Sequence, residues 1–151
     1  MSGYKKILVV SRMIQTCKPA VRKGVELARI YGAELFVIHS IYNPFSIKGW
    51  SVGTLSLAKE FDHLLEETRV KLADLIEEEK GKGLTIKELI RDGEPTAEVL
   101  KTVREENIDL LVMLAHEEGF MESLFNRSND ELVRKMPCSI LLVKKEPKPA
   151  V

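Results

Sequence analysis

The chain has 151 residues, and Lys plus Arg and Asp plus Glu both number 23, so its formal net charge is zero. This balance provides no overall electrostatic attraction for nucleic acid or anionic lipid. No apolar run reaches the roughly 18 residues of a membrane span, and the N-terminal segment lacks the pattern of a signal peptide. We therefore expect a one-domain cytoplasmic protein that binds neither nucleic acid nor membranes.

Short apolar runs alternate with segments of helical periodicity along the chain. Several of the runs are apolar at nearly every position, which is typical of parallel strands that are buried on both faces. Strands are expected at residues 6–10, 34–41, 85–90, 110–115 and 139–143. The sequence therefore predicts an α/β fold, in which five parallel strands form an open, doubly wound, Rossmann-like sheet with helices on both faces.

Helix boundaries are indicated by prolines and glycines. The first helix is expected to have Pro19 in its first turn and Gly32 as its C-cap. The second and longest helix is expected from Ser56 to about Lys80, and the third follows Pro95.

The stretch from Asp109 to Val143 is expected to contain the functional region. It reads as a buried strand, a loop of about ten residues, a short helix that opens near Ser128, and a second apolar strand. Ser128 is followed three residues later by Glu131, which fits a capping box. In an open parallel sheet the loop after the first strand of such a crossover is where ligands bind.

The phrases YKKILVVS, VELARIYGAELFVIHSI, IRDGEPTAEVL, ENIDLLVML and VRKMPCSILLV occur in an order that resembles the universal stress protein family over nearly the whole chain. The resemblance implies a domain of the adenine nucleotide alpha hydrolase-like type over residues 1–145, followed by a flexible tail over residues 146–151. It also implies a homodimer. Some members of the family bind ATP between the first and fourth strands, and others do not.

Nucleotide-binding members carry Gly, two residues, Gly, nine residues, and then Gly followed by Ser or Thr after the fourth strand. Glycines are needed there because backbone N–H groups must approach the phosphates closely. Here Leu114 stands at the first glycine position, and His116 or Glu117 at the second. With the loop read as one residue shorter than the pattern, Asn126 and Arg127 hold the last pair.

Charges near this loop also disfavour ATP or AMP as a cofactor. Carboxylates at Glu117, Glu118 and Glu122 would lie beside a polyphosphate, where like charges cost on the order of 1 kcal/mol or more. Nucleotide-binding members have an Asp at the end of the first strand, and this chain has Arg12. The sequence therefore predicts a member with a degenerate nucleotide-binding loop.

The same region could still hold another small ligand. Arg127 could meet a phosphate through its fork geometry, and the alternative is a surface charge paired with Glu117 or Glu118. The candidate pocket residues are Val10, Ser11, Arg12, Ser40, Met113, Leu114, Gly119, Asn126, Arg127, Ser128 and Asn129.

No residue pattern indicates an enzyme or a metal site. His116 has no second His or Cys at ligand spacing, His39 is expected to be a hydrogen-bonded histidine near the end of the sheet, and His63 is expected on the surface. Neither a nucleophile elbow nor a P-loop is present. We expect no catalytic residues and no bound metal.

The segment from Tyr42 to Leu55 is longer than most connections and rich in apolar residues. It is expected to be a lid over the pocket, a docking surface for an unknown protein partner, or a segment folded back over the core. Phe45 and Trp50 are the candidate contact residues, with Trp50 as the partner anchor.

The fifth strand suggests the assembly. By the resemblance it is an edge strand, and an apolar edge would favour aggregation unless it were covered. Pairing with its two-fold copy would close both edges, whereas the tail, which contains two prolines, would cover the edge poorly. The expected dimer interface is Ser139, Ile140, Leu141, Leu142 and Val143.

Together these features predict a non-enzymatic homodimer that acts in stress response through protein contacts or a small ligand, without ATP. One alternative is a stress protein that binds ATP or AMP as a nucleotide-dependent switch. The other is a hydrolase or transferase on the same fold.

Overall fold

The computed structural model describes residues 3–12, 18–40, 55–91, 93–115 and 122–144. Strands and helices alternate along the chain, as the sequence predicts. The elements are β1 (Lys6–Arg12), α1 (Lys18–Tyr31), β2 (Glu34–Ser40), α2 (Leu55–Gly81), β3 (Ile86–Arg91), α3 (Pro95–Glu106), β4 (Leu110–Leu114), α4 (Glu122–Lys135) and β5 (Ser139–Val143).

The five strands form one parallel sheet in the order β3-β2-β1-β4-β5. The chain moves from β1 to β3 in one direction and then places β4 and β5 on the other side of β1. Right-handed crossovers therefore put α1 and α2 on one face and α3 and α4 on the other. The open, doubly wound α/β fold is confirmed.

Two hydrophobic clusters fill the two faces of the sheet. Ile7 and Val9 of β1 pack with residues of α1 and α2, whereas Leu8 and Val10 pack with residues of α3 and α4. Successive side chains of a strand point to opposite faces, so a strand that is buried on both faces must be apolar at every position. This requirement explains the run of apolar residues in β1.

Gly24 lets α1 pack closely on the sheet. A Cβ atom at this position would overlap Cγ2 of Val9. Because the Val9 side chain is itself buried, it has little room to move. Glycine at position 24 therefore sets the distance between α1 and β1.

The predicted helix boundaries hold for the first three helices. Gly32 follows α1 with a φ of +64°, the left-handed conformation of a C-cap glycine. Pro95 begins α3, and the Glu94 side chain accepts hydrogen bonds from the N–H groups of Thr96 (3.1 Å) and Ala97 (2.8 Å). A proline at the first position and an acceptor before it fix where α3 starts.

The predicted start of the fourth helix is wrong. Helix α4 begins at Glu122, six residues before Ser128, so the expected capping box of Ser128 and Glu131 lies inside the helix. No proline or glycine lies between Glu122 and Lys135, so nothing in the local sequence prevents the earlier start. The loop after β4 is correspondingly shorter than expected.

Several predictions fall outside the described residues. They are the lid or docking role of Phe45 and Trp50, the position of Gly119, and the flexible tail over 146–151. Within the described ranges, no helix is long and apolar enough to cross a bilayer.

Candidate functional site at the carboxyl ends of β1 and β4

The pairing between β1 and β4 ends before either strand does, and we refer to the space between their carboxyl ends as the crevice. The ladder between these two strands ends at Val9 and Val112. In contrast, β1 stays paired with β2 to its last residue, Arg12, and β4 stays paired with β5 to its last residue, Leu114. The crevice lies at the topological switch point, where open α/β sheets bind ligands.

Four of the predicted pocket residues line the two strands at this crevice. Val10 and Ser11 lie on β1 and Met113 and Leu114 on β4, and all four are buried. The side chains of Val10 and Met113 belong to the hydrophobic cluster on the α3 and α4 face. Their role is therefore core packing, and the polar group that the strands contribute here is Ser11.

Leu114 occupies the first glycine position of the nucleotide-binding pattern, and it behaves as an ordinary core residue. Its side chain is 1% exposed and packs in the cluster on the α1 and α2 face. Its backbone continues the regular ladder with β5. The end of β4 therefore has neither the space nor the backbone freedom that a glycine provides.

The predicted residues Asn126, Arg127 and Ser128 lie inside α4 rather than at its start. Counted from Leu114 without a gap, the last pair of the pattern falls at Arg127 and Ser128, one residue later than the shorter-loop alignment gives. In either alignment the pair is helical. Only the first four N–H groups of a helix lack a partner within it. Residues 126–128 lie beyond those four, so their N–H groups are bonded to helix carbonyls.

Asn129 lies one residue further along α4 and points into the molecule. Its side chain is 3% exposed, and its Nδ2 atom donates to the carbonyl oxygen of Leu114 at 2.7 Å and to that of Ala115 at 3.4 Å. A predicted pocket residue is therefore a structural bridge between α4 and the end of β4. The signal in the sequence is a polar residue three positions before the buried Leu132, on the apolar face of the helix.

Two remaining predicted residues lie at the ends of neighbouring strands. Arg12 ends β1 and is the register partner of Ser40, which ends β2. Both stand at the carboxyl edge of the sheet, as the sequence predicts. The predicted pocket residue Gly119 lies outside the described residues.

The Universal stress protein family matches residues 3–144 of the chain. The chain belongs to this family. The match covers every element from β1 to β5, so the family resemblance in the sequence is confirmed.

Individual relatives are similar to the chain over nearly its full length. Universal stress protein MJ0577 of Methanocaldococcus jannaschii is 24% identical over 156 residues, which cover 95% of this chain and 96% of that protein. The solved universal stress protein UspA from Lactobacillus plantarum has a TM-score of 0.66 at 17% identity and covers 95% of this chain and 99% of its own. The universal stress protein from Archaeoglobus fulgidus, solved in complex with dAMP, has a TM-score of 0.59 at 18% identity over 95% of this chain and 100% of its own. These structures share the fold of this family member.

In this family member a buried histidine on β2 contacts a partly exposed carboxylate on β3. His39 Nε2 is 3.1 Å from Oε1 of Glu88, and Lys80 Nζ donates to Oε2 of the same carboxylate at 3.0 Å. Burial raises the pKa of Glu88, but its hydrogen bonds with Lys80 and His39 outweigh burial and hold the pKa below its ordinary value. The prediction of a hydrogen-bonded His39 is confirmed, and so is the exposed position of His63.

Among the described residues, no group of three or more His, Cys, Asp or Glu side chains is arranged to hold a metal ion. His116 lies outside these residues. The described part of the site thus consists of two buried strand ends, one buried serine and the Asn129 bridge, and this part contains no nucleophile paired with a base.

Proposed function

We propose that this universal stress protein is a non-enzymatic homodimer that acts in stress response through protein contacts or a small ligand, and that it does not bind ATP or AMP. The observation that carries the second part is the start of α4 at Glu122. Phosphates bind at free N–H groups of a helix N-terminus. Residues 126–128 stand where the family pattern needs such groups, but the helix already uses their N–H groups.

The packing around Leu114 supports the same conclusion. A buried leucine fills the first glycine position, and Asn129 Nδ2 bonds to its carbonyl oxygen. A nucleotide in the crevice would have to displace this bond and approach a backbone that carries a bulky side chain. Both changes cost free energy that the binding of phosphate would have to offset.

Calorimetry tests this part of the proposal directly. Protein that has been stripped of ligand is titrated with ATP, ADP and AMP in the presence of magnesium. No heat at about 100 μM protein would place any affinity weaker than about 1 mM, a binding free energy of about −4 kcal/mol. Micromolar binding of any of the three nucleotides would contradict the proposal.

The homodimer is supported by the edge position of β5. Among the described residues β5 pairs with β4 alone, and it carries no charged side chain. Leu142 is 45% exposed. An apolar edge strand with free N–H and C=O groups is suited to pairing with its two-fold copy, which closes both edges at once.

A proline at Leu142 tests this interface. The carbonyl of Val143 accepts from the N–H group of Ala115, the residue after β4, at 2.9 Å. Val143 therefore directs its polar groups toward β4, and Leu142 directs its own to the open edge. Leu142→Pro removes an N–H group at that open edge and leaves the bonds to β4. We expect sedimentation to show dimers for the parent protein and monomers for this variant.

Leu142→Ala is the matched control, because it removes most of the side chain and keeps the N–H group. We expect it to remain dimeric, with circular dichroism confirming that all three proteins are folded. A monomeric parent protein, or a Leu142→Pro variant that still dimerises, would contradict pairing through β5.

A nucleotide-dependent switch is the second candidate function. The observation that favours it is the solved relative from Archaeoglobus fulgidus in complex with dAMP, which shares the fold. Saturable binding of dAMP, titrated by calorimetry in the same way as the other nucleotides, would favour this candidate over the first.

A further inference from the structure

The carbonyl group of Leu114 points into the crevice between β1 and β4. The N–H group of Ala115 donates to the carbonyl oxygen of Val143 on β5 at 2.9 Å. The C=O and N–H groups of a trans peptide point in opposite directions. The Leu114 oxygen therefore points away from β5, to the side where β1 has already separated from β4.

A carbonyl in this position needs a partner. The ladder with β1 ended two residues earlier, at Val112, so no N–H group of that ladder reaches the Leu114 oxygen. A buried carbonyl without a partner destabilises the folded state, because it loses its hydrogen bond to water and gains none in return. Asn129 supplies the donor from α4 at 2.7 Å, with a side chain that is 3% exposed.

We propose that Asn129 determines the ligand specificity of this crevice by closing it from within, as an internal substitute for a bound ligand. The inference rests on the proposed absence of nucleotide binding and adds a residue responsible for it. The side-chain amide takes the acceptors that a ligand in the crevice would otherwise use, namely the oxygens of Leu114 and Ala115.

The chemistry of these acceptors names the class of ligand that is excluded. Carbonyl oxygens accept hydrogen bonds, so they suit hydroxyl and amino groups and disfavour anionic oxygens. A neutral nucleoside carries such donors. Phosphate groups are excluded separately, by the N–H groups that α4 uses internally. A nucleoside without phosphate therefore probes the Asn129 bridge alone.

Asn129→Ala is the test variant, because it removes the amide and leaves room beside the Leu114 oxygen. Adenosine is titrated into the parent protein and the variant, and binding is followed by calorimetry and by chemical shifts of the amides at the end of β4. We expect no saturation of the parent protein at about 1 mM adenosine. We expect the variant to bind adenosine with a Kd at least tenfold below about 1 mM. Equal binding by the two proteins would overturn the inference.

Asn129→Ser is the second variant, and it keeps a short hydroxyl donor in place of the amide. Its expected affinity for adenosine lies between those of the parent protein and Asn129→Ala. If Asn129→Ala does not fold, the comparison uses Asn129→Ser, and a serine variant that binds no better than the parent protein would overturn the inference.

A measurement on the parent protein avoids the variants altogether. The side-chain N–H of Asn129 that donates to Leu114 is expected to exchange with solvent at least tenfold more slowly than the side-chain N–H groups of the exposed Asn107. Equal exchange rates would show that the bridge is absent and overturn the inference.

The outcomes separate the inference from the proposed function. Micromolar ATP binding by the parent protein would contradict the proposed function. If the parent protein does not bind ATP and Asn129→Ala does not bind adenosine, the inference about Asn129 fails and the proposed function stands.

Discussion

The two ends of the β1 and β4 pair are closed in different ways. At the amino end, the carboxylate of Asp109 accepts from the N–H groups of Lys5 (2.9 Å) and Lys6 (3.0 Å), and Asp109 N donates to Lys6 O at 3.0 Å. At the carboxyl end the strands separate, and Asn129 of α4 bonds to the oxygen of Leu114. One end is closed by the segments that form the pair, and the other by a helix.

Under the proposed role of Asn129, this difference lets the carboxyl end change its function without a change of fold. The bonds at the amino end belong to the sheet itself and hold β1 and β4 in register. The bond at the carboxyl end depends on where α4 starts and on a single side chain. An end that depends on one residue can be opened or closed to a ligand while the sheet stays intact.

The largest expected effect comes from Asn129→Asp, which keeps the side-chain shape and removes the donor. At pH 7 the new carboxylate would be buried against two carbonyl oxygens, and we expect a loss of about 3 kcal/mol or more in the free energy of unfolding. Burial and the carbonyl dipoles both raise the pKa of this carboxyl group in the folded state. Stability is therefore recovered at low pH, where the protonated group can donate, and is lost as the pH rises.

Urea denaturation between pH 4 and pH 8 measures this effect. Asp130→Asn is the control. Asp130 is the exposed neighbour of Asn129 on the same helix, and this substitution also changes the net charge by one unit. We expect almost no change in its stability. A loss for Asn129→Asp that is the same at every pH would mean that the side chain does not face the carbonyl groups.

The next largest effect is expected at the amino end. Asp109→Ala removes both acceptors for the N–H groups of Lys5 and Lys6, and we expect a loss of about 2 kcal/mol in the free energy of unfolding. Asp109→Asn keeps one acceptor oxygen, so its loss is expected to be about half as large. Adenosine binding should not change in either variant. Gain of adenosine binding in Asp109→Ala would contradict the separation of the two ends.

The smallest effect is expected at the β3 edge, away from both ends of the pair. Glu88→Gln removes the charge that Lys80 and His39 contact, and because Glu88 is partly exposed the loss is expected to stay below about 1 kcal/mol. The pKa of Glu88 is lowered in the folded state, so its contribution is present at pH 7. The difference between parent and variant should disappear as the pH falls below the ordinary value of 4.5, which denaturation at several pH values would show.

The sequence predicted most of the fold because burial on both faces requires apolar strands. The runs at 6–10 and 110–115 lie within two residues of β1 and β4 in the structure. The start of α4 could not be predicted in the same way. Ser128 and Glu131 fit a capping box, but the residues before them have no strong helix breaker, and the helix extends back to Glu122.

The sequence predicted where the candidate site lies but not what its residues do. The carboxyl ends of β1 and β4 follow from the strand pattern, and the structure brings Ser11 and Leu114 there. The role of Asn129 could not be predicted without its three-dimensional contact with the end of β4. In the sequence, its position next to Ser128 indicated only a helix start. A polar residue on an apolar helix face indicates a buried hydrogen bond but does not name its partner.

The most direct measurement follows the backbone amides of residues 126–128 by NMR, with and without ATP and magnesium at about 1 mM. We predict that these amides exchange slowly with solvent, because the helix already uses them, and that their chemical shifts do not move when ATP is added. Fast exchange in the free protein, together with shifts that saturate with ATP, would show free N–H groups that bind phosphate. That result would contradict the proposal that α4 excludes nucleotides.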